Sequence, residues 1–170
     1  IGTHASSLPS RTLLEEPYTF VCQGEGPITV EELLKTLKKG SKDFTKIPGL
    51  WYRENDEIKK NKSAPIFENL DNTLPGQAWE LLDLSKYKAH NWHTFHELDS
   101  RNKYASLQTS LGCPFKCTFC CINAPFESNT IRFWSPKHII KEIKYLVDKH
   151  GIQNIKIPDE MFVLNPKQVI

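Results

Sequence analysis

The sequence predicts an α/β protein in which strands and helices alternate along the chain. Near the start, a short β-type run at residues 19–22 is broken by a turn rich in glycine and followed by apolar residues at helical spacing. From Tyr104 onward, strand, loop, helix, strand, loop and the start of a helix follow one another. This βαβ order is typical of parallel sheets and of the opening of a (β/α) barrel.

Composition is that of a globular chain without a strongly charged partner. The 170 residues are 39% hydrophobic and 25% charged, with a formal net charge of +2. This balance gives no support to binding of nucleic acid or of a membrane surface. No apolar run approaches the roughly 18 residues that span a bilayer. Five cysteines, three of them clustered, argue against a secreted disulfide framework and predict a reducing, cytoplasmic location.

The two ends of the sequence predict a piece of a longer protein. The chain opens on Ile1–Gly2, its only methionine is Met161, and it stops soon after an expected helix start near Pro166. We therefore expect a fragment that is inactive by itself.

Residues 1–40 are predicted to form a loop, a strand, a glycine turn and a helix. Ile1–Ser6 is small and polar, as expected of a loop. Thr29 and Glu32 have the spacing of a helix capping box, and Gly40 is a natural helix stop. Apolar residues recur between them at helical spacing: Val30, Leu33, Leu34 and Leu37.

Residues 41–103 are predicted to be a linker that contains a small hairpin. A turn and strand over residues 47–53, a polar turn at residues 54–57 and a return strand at residues 58–61 make the hairpin. Trp51 and Trp79 are interpreted as packing anchors. His90, His93 and His96 are a possible metal site, but their neighbours give no helical face, which favours exposed linker histidines.

Residues 104–170 are predicted to form the first two β/α units of a barrel. The first strand covers residues 104–109. Ser135 caps the following helix, with Pro136 in its first turn, and Gly151 ends it. A second strand at residues 154–157 precedes the acidic pair Asp159–Glu160. A complete barrel needs roughly 200 residues or more, so this sheet cannot close.

A cysteine loop, residues 111–120, follows the first of these strands. Cys113, Cys117 and Cys120 have Cys-x3-Cys-x2-Cys spacing, so one loop shaped by Gly112 and Pro114 can turn three thiolates toward one point. This suits a cubane 4Fe-4S cluster with three irons held by the protein and one left open for reaction. The alternative is a structural zinc or cluster knuckle, for which the nearby Cys121 would be the fourth ligand.

The cysteine spacing, with Phe119 before the last cysteine, resembles the signature of radical SAM (S-adenosylmethionine) enzymes. The resemblance implies that SAM chelates the open iron and that an electron from the cluster cleaves it to methionine and a 5′-deoxyadenosyl radical, which abstracts hydrogen from an unreactive carbon. Phe119 matches the position that contacts the adenine, with loop packing as its alternative role. Asp159 and Glu160 stand where many members have Gly-Gly-Glu against the methionine amino group. Solvated loop carboxylates are the alternative, since the glycines are missing.

The upstream segment resembles the last third of the cobalamin-binding domain, a flavodoxin-like doubly wound sheet, that precedes many radical SAM enzymes. The resemblance implies that Gly2 and Thr3 lie on the loop that meets the nucleotide tail of the cofactor. It places Gly24, Glu25 and Gly26 on the neighbouring loop at the carboxyl edge of the sheet. A plain tight turn is the alternative role of these last two glycines. The family's Asp-x-His-x-x-Gly loop, whose histidine can bind cobalt, is not found in this sequence.

Together these resemblances imply the C-terminal part of a cobalamin-binding domain (residues 1–40), a linker (residues 41–103) and the start of a radical SAM core (residues 104–170). The implied cofactors are a 4Fe-4S cluster, SAM and cobalamin. The implied reaction is methyl transfer, or a related cyclisation, on a small molecule, with an electron donor such as flavodoxin or ferredoxin. The alternatives are a radical SAM protein without cobalamin and a non-catalytic zinc-binding module.

Overall fold

Two units of the chain, each with its own strands, are distinguished in the computed structural model, which describes residues 1–88 and 102–168. One unit comprises Ile1–Ile66 and Gly112–Thr130, and the other comprises Phe67–Leu111 and Ile131–Ile170. The division at residues 40 and 103 that the sequence suggests stays a prediction. His90, His93 and His96 lie outside the described residues.

Helices and strands are interspersed along the described residues, as expected of an α/β protein. The helices are α1 (Thr3–Ser7), α2 (Pro9–Glu15), α3 (Pro27–Lys38), α4 (Leu70–Thr73) and α5 (Pro136–His150). The strands are β1 (Phe20–Cys22), β2 (Leu50–Glu54), β3 (Glu57–Lys60), β4 (Tyr104–Ser106), β5 (Ser110–Gly112), β6 (Ile131–Phe133) and β7 (Asn154–Lys156). Single 3₁₀ turns cover Trp79–Leu81, Leu84–Lys86 and Pro166–Gln168. No helix in this described part of the chain has both the length and the apolar character that crossing a membrane requires.

The sheet of the first unit is antiparallel and has the order β1-β2-β3. Cys22 pairs with Leu50 across β1 and β2. β2 returns into β3 through Asn55 and Asp56, whose φ angles are 49° and 64°. Two central residues with positive φ are typical of the type I′ turn that joins hairpin strands. The hairpin predicted from the polar turn at residues 54–57 is therefore confirmed.

The first unit has two apolar clusters, because successive strand residues point to opposite faces of a sheet. One consists of Ala5, Leu13 and Val21, with Trp51 and Ile58 packed against it. The other consists of Ile47, Leu50 and Tyr52, with Phe20, Leu33 and Phe44 packed against it. The interpretation of Trp51 as a packing anchor is confirmed.

The prediction of a loop over Ile1–Ser6 is wrong. α1 begins at Thr3, and the Ser6 N–H donates to the Gly2 carbonyl at 2.9 Å. Ala5 and Ser6 are buried, and Ala5 packs in the cluster that contains Leu13. The segment is helical because its small residues allow this close packing against α2 and β1, which its own sequence does not reveal.

The prediction that Thr29 caps a helix is also wrong. α3 begins at Pro27, whose fixed φ and missing N–H suit the first position of a helix, and Gly26 takes the cap position. Thr29 is only 1% exposed, and its hydroxyl donates to the Pro48 carbonyl at 2.7 Å. Thr29 therefore joins the helix to the loop before β2. Glu32 forms an ion pair with Lys35 instead of completing a capping box.

The second unit contains a βαβ arrangement, as the sequence predicts. β4 and β7 are parallel, with Ala105 opposite Ile155, and α5 lies between them in the chain. The Ser135 hydroxyl accepts the His138 N–H at 3.2 Å at the start of α5, and Gly151 ends the helix in the left-handed conformation. Both helix boundaries that the sequence indicates are confirmed.

Trp79 lies in the core of the second unit, where it is 4% exposed. Its indole N–H donates to a Glu142 carboxylate oxygen at 3.0 Å. The buried cluster around it consists of Leu84, Ala105, Leu107, Leu146 and Ile152. The interpretation of Trp79 as a packing anchor is confirmed.

The first strand of this unit is shorter than the predicted 104–109. β4 ends at Ser106, and β5 pairs with β6 in a separate ladder. The Thr109 N–H donates to the Asp159 carboxylate at 2.9 Å, so a side chain rather than a neighbouring strand satisfies it. The ladder of β4 therefore cannot continue through Thr109.

Candidate metal centre

Three cysteines lie on the loop that follows β5, within the first unit. Cys113 is 8% exposed, whereas Cys117 and Cys120 are exposed. The Cys120 N–H donates to the Cys117 carbonyl at 3.1 Å, so one tight turn carries the second and third cysteines. All three line a cavity of about 270 Å³, together with Phe115, Lys116, Ile122, Asn123 and Asn129. The loop therefore presents three thiols and a lysine cation to one space.

The three thiols surround this cavity without converging on a point. Throughout residues 1–88 and 102–168, no three His, Cys, Asp or Glu side chains come close enough to hold a single metal ion. A structural zinc site needs four ligands about 2.0–2.3 Å from one ion. A cubane cluster accepts each thiolate on a different iron, which allows the sulfurs to lie around a cavity. Three cysteine thiols on one loop are a donor set that a cubane cluster can accept.

Cys121 lies beside the loop but does not line its cavity in the described structure. Its side chain is exposed, and its carbonyl accepts the Ala124 N–H at 3.0 Å. The fourth ligand that a zinc knuckle requires is therefore not in place at this cavity.

Gly112 brings the chain into the cysteine loop close beside Thr130. Its φ is +87°, a value that side chains rarely allow, and a Cβ on Gly112 would lie 2.2 Å from the Thr130 carbonyl oxygen. Both the backbone angle and the close approach require glycine. The prediction that Gly112 shapes this turn is confirmed.

Asn123 holds the first cysteine from the other side of the loop. Its Oδ1 accepts the Cys113 N–H at 2.9 Å, and its Nδ2 donates to the Cys113 carbonyl at 2.7 Å. The same Nδ2 lies 3.0 Å from Asn129 Oδ1 and 3.4 Å from the Phe115 carbonyl oxygen. Our sequence analysis missed this residue. Its one signal is that asparagine offers both a donor and an acceptor to nearby backbone.

Phe119 projects from the loop with 91% of its surface exposed. The loop covers so little of the Phe119 side chain that packing within the loop does not explain why a phenylalanine stands at this position. Its ring is accessible to a ligand.

The two segments predicted to meet cobalamin, the start of α1 at Gly2–Thr3 and the turn at Gly24–Gly26, lie close together in the first unit. The Gly24 N–H donates to the Ser6 hydroxyl at 3.1 Å. A Cβ on Gly26 would lie 3.2 Å from the side chain of Ile1. The structure thus brings together two segments that are about 20 residues apart in the sequence.

The glycine-rich loop also approaches the segment that follows the cysteine loop. A Cβ on Gly24 would lie 3.7 Å from the Pro125 carbonyl oxygen. Gly2, Gly24 and Gly26 all have φ angles between 104° and 116°. Thr3 is exposed at the start of α1, and Glu25 is half-buried. The predicted cobalamin residues therefore lie where glycines with positive φ shape the backbone, at the start of α1 and in the turn before α3.

Asp159 and Glu160, the predicted SAM contacts, have different surroundings in the second unit. Asp159 Oδ1 accepts the Thr109 N–H, and its Oδ2 accepts the hydroxyls of Thr109 at 2.5 Å and of Ser110 at 2.7 Å. Glu160 is exposed and has no hydrogen bond or ion pair to the described residues. Asp159 thus fixes the segment before β5, and Glu160 keeps its carboxylate open to a ligand.

The α/β fold of this chain resembles that of solved radical SAM enzymes. TsrM, a radical S-adenosylmethionine methyltransferase from Kitasatospora setae solved with cobalamin and a [4Fe-4S] cluster bound, matches with a TM-score of 0.63 at 18% identity, over 96% of this chain and 30% of that chain. OxsB, a cobalamin-dependent S-adenosylmethionine radical enzyme solved with aqua-cobalamin bound, matches with a TM-score of 0.62 at 23% identity, over 94% of this chain and 20% of that chain. At these identities the likeness shows the fold alone.

Curated relatives match nearly the whole chain by sequence. An uncharacterized methyltransferase of Pyrococcus horikoshii is 33% identical over 170 residues, covering 99% of this chain and 34% of that protein. The anaerobic magnesium-protoporphyrin IX monomethyl ester cyclase of Synechocystis is 30% identical over 160 residues, covering 90% of this chain and 28% of that protein. The cobalamin-dependent radical SAM methyltransferase TokK of Streptomyces tokunonensis is 27% identical over 169 residues, covering 99% of this chain and 24% of that protein.

The chain is thus a homologue of cobalamin-dependent radical SAM enzymes, and the resemblance seen in the sequence is confirmed. Its relatives include methyltransferases and cyclases. The chain spans about a third or less of the length of the curated relatives it matches. No family model matches it.

Proposed function

We propose that the protein containing this chain is a cobalamin-dependent radical SAM enzyme. In it, Cys113, Cys117 and Cys120 bind a 4Fe-4S cluster. The observation that supports this most is a single cavity lined by these three thiols, in a chain homologous to enzymes of that kind. When bound, the cluster supplies the electron for reductive cleavage of SAM.

The three cysteines of the loop differ in how firmly the fold holds them. Cys113 is buried and fixed by Asn123, whereas the turn that carries Cys117 and Cys120 is exposed. The loop thus combines one ligand that the fold holds in place, Cys113, with two exposed ligands whose positions a bound cluster would set.

The residues proposed for SAM have separate roles. The exposed Phe119 ring is available to stack on the adenine. Glu160 is proposed to accept hydrogen bonds from the ammonium group in the methionine part of SAM, because a charged carboxylate makes strong hydrogen bonds with a cation. Asp159 already accepts three hydrogen bonds, and its proposed role is to hold Thr109 and Ser110 in the segment that leads to the cysteines.

Cobalamin is proposed to meet two segments of the first unit, at Gly2–Thr3 and at Gly24–Gly26. Gly2 and Gly24 have no side chains that would keep a large cofactor away from the backbone, and Thr3, Glu25 and Gly26 lie beside them. The reaction proposed is methyl transfer to an unactivated carbon of a small molecule, or a related cyclisation. A flavodoxin or ferredoxin is the proposed electron donor, and the cytoplasm the proposed location. A radical SAM protein without cobalamin is the second candidate.

Anaerobic reconstitution of the chain with ferrous iron and sulfide tests the cluster. We expect about four irons and four sulfides per chain, a broad iron–sulfur absorbance and an EPR signal after reduction that changes when SAM is added. Cys117→Ala should abolish the cluster, whereas Cys121→Ser should retain it. Stoichiometric zinc without iron, or loss of the cluster in Cys121→Ser, would reject the assignment.

Two neighbouring substitutions test the SAM assignment. Glu160→Gln should weaken the effect of SAM on the EPR signal and leave the unfolding midpoint unchanged, because Glu160 has no partner in the described structure. Asp159→Asn should lower the unfolding midpoint. In the full-length protein, SAM and a reductant should yield 5′-deoxyadenosine. An intact cluster that yields none would contradict the proposed reaction.

The cobalamin assignment has a test of its own. Hydroxocobalamin mixed with the full-length protein should remain bound through gel filtration, and Gly24→Val should reduce the amount retained. Full cluster loading without any retained cobalamin would favour the second candidate.

A further inference from the structure

We propose that Asn123 is a positioning residue that sets the place of Cys113, and through it the retention and the reduction potential of the cluster. The effect on the cluster rests on the proposed function. The effect on Cys113 does not rest on the proposed function, because the hydrogen bonds between Asn123 and Cys113 are made within the protein.

Directly after β5, the side-chain amide of Asn123 makes the two hydrogen bonds to Cys113 that a neighbouring strand would otherwise make. Gly112 is the last residue of that strand, and Cys113 follows it. The amide accepts the N–H of Cys113 and donates to its carbonyl, as an opposing residue does in an antiparallel ladder. Two bonds to one residue fix both its position and its orientation. Because Cys113 is 8% exposed, water cannot readily replace them.

The chemistry at this position requires an amide. Nδ2 faces three oxygen acceptors, the carbonyls of Cys113 and Phe115 and the Oδ1 of Asn129. A carboxylate would offer only acceptors there and would be repelled. Asn123 also lines the cavity of the cysteine loop. A negative charge at this position would oppose addition of an electron to a cluster beside it, so Asp should loosen the loop and lower the potential, whereas Ala should only loosen it.

The cluster arm of the test compares four variants of the reconstituted full-length protein. With a chelator in excess, N123A and N123D should lose iron about 10- to 100-fold faster than wild type, the range typical of residues that orient metal ligands. N123D should in addition show a more negative midpoint potential in an EPR-monitored titration. N129A, which leaves both bonds to Cys113, should lose iron more slowly than N123A.

The matched control is N72D, a change of the same residue type on α4. Asn72 is exposed, and its side chain has no hydrogen bond to the described residues. N72D should match wild type in iron loss and in potential. Equal iron loss in wild type, N72D and N123A would overturn the proposal, as would equal potentials in N123A and N123D.

A second arm needs no metal. In the apo protein, iodoacetamide followed by peptide mass mapping should label Cys113 more slowly than Cys117 and Cys120, because Cys113 is buried and the other two are exposed. N123A should raise the rate at Cys113 about tenfold, since the lost hydrogen bonds contribute roughly 1.4 kcal/mol against local opening, and leave the other two unchanged. An unchanged rate at Cys113 would overturn the proposal.

Only variants whose far-UV circular dichroism spectrum shows that they fold are compared. Should N123A not fold, N123S replaces it. Loss of the fold in both would also overturn the proposal, since Asn123 would then act on the fold rather than on the cysteine loop. If wild type binds no cluster, the proposed function fails, and the labelling arm still decides the role of Asn123.

Discussion

Replacing Gly112 with alanine should destabilise the chain at the entrance to the cysteine loop. Two separate causes act at this residue. Its φ of +87° strains any residue that carries a Cβ, and the added methyl group would lie 2.2 Å from the Thr130 carbonyl oxygen. The obstacle is a backbone atom, so rotation of a side chain cannot relieve it.

The expected loss of stability follows from adding these two causes. A left-handed conformation costs a residue with a Cβ roughly 1–2 kcal/mol. Forcing an extra methyl group into a packed position costs a further ~1–3 kcal/mol. We expect the free energy of unfolding to fall by about 2–5 kcal/mol, which is a large part of the total for an ordinary domain.

Urea unfolding of wild type and Gly112→Ala, both without metal and followed by circular dichroism, measures this difference in the free energy of unfolding. Gly40→Ala is the matched control, since Gly40 has a φ of +68° and nothing within 4 Å of an added Cβ. The control should lose only the backbone contribution, about 1–2 kcal/mol. Equal losses in Gly112→Ala and Gly40→Ala would refute the argument from the Thr130 contact.

Three further predictions concern stability and are checked by urea unfolding. Leu146→Ala should cost about 2–5 kcal/mol, because Leu146 is completely buried in the core of the second unit. Thr29→Val should cost about 1–3 kcal/mol, since the Pro48 carbonyl would lose its donor in a buried place. Asp71→Asn should cost about 1 kcal/mol at neutral pH. Hydrogen bonding from Ser135 lowers the pKa of Asp71, so its stabilisation is present above the ordinary pKa of the carboxyl and is lost as the pH falls through the lowered value. The difference between wild type and Asp71→Asn should therefore disappear in acid.

The parts of the fold that the sequence predicts correctly depend on neighbours in the chain. Ser135 caps α5 through the N–H of His138, three residues later, and Gly151 directly follows the helix that it ends. The predicted cap at Thr29 fails because the hydroxyl finds its partner at Pro48, 19 residues away. The spacing of residues in the sequence reveals contacts between near neighbours, such as Ser135 with His138. It does not reveal contacts between distant residues, such as Thr29 with Pro48.

The same distinction separates the cysteines from the residues that hold them. The spacing of the three cysteines is visible in the sequence, and it indicates the chemistry directly. The role of Asp159 rests on Thr109 and Ser110, about 50 residues earlier, so the sequence alone left Asp159 and Glu160 equivalent. Asn123 lies ten residues from Cys113, and its side chain becomes informative only when its four hydrogen bonds are seen.

The three proposed ligands are unequal, and this inequality bears on how a cluster would bind. Cys113 is buried, entered through Gly112 and held by Asn123, so the fold fixes it before any metal arrives. Cys117 and Cys120 are exposed and share a turn, which is closed by the bond from the Cys120 N–H to the Cys117 carbonyl. Metal binding commonly supplies the free energy that orders its own ligands. A cluster bound here would therefore meet one ligand that the fold already holds and two exposed ligands whose placement its own binding would complete.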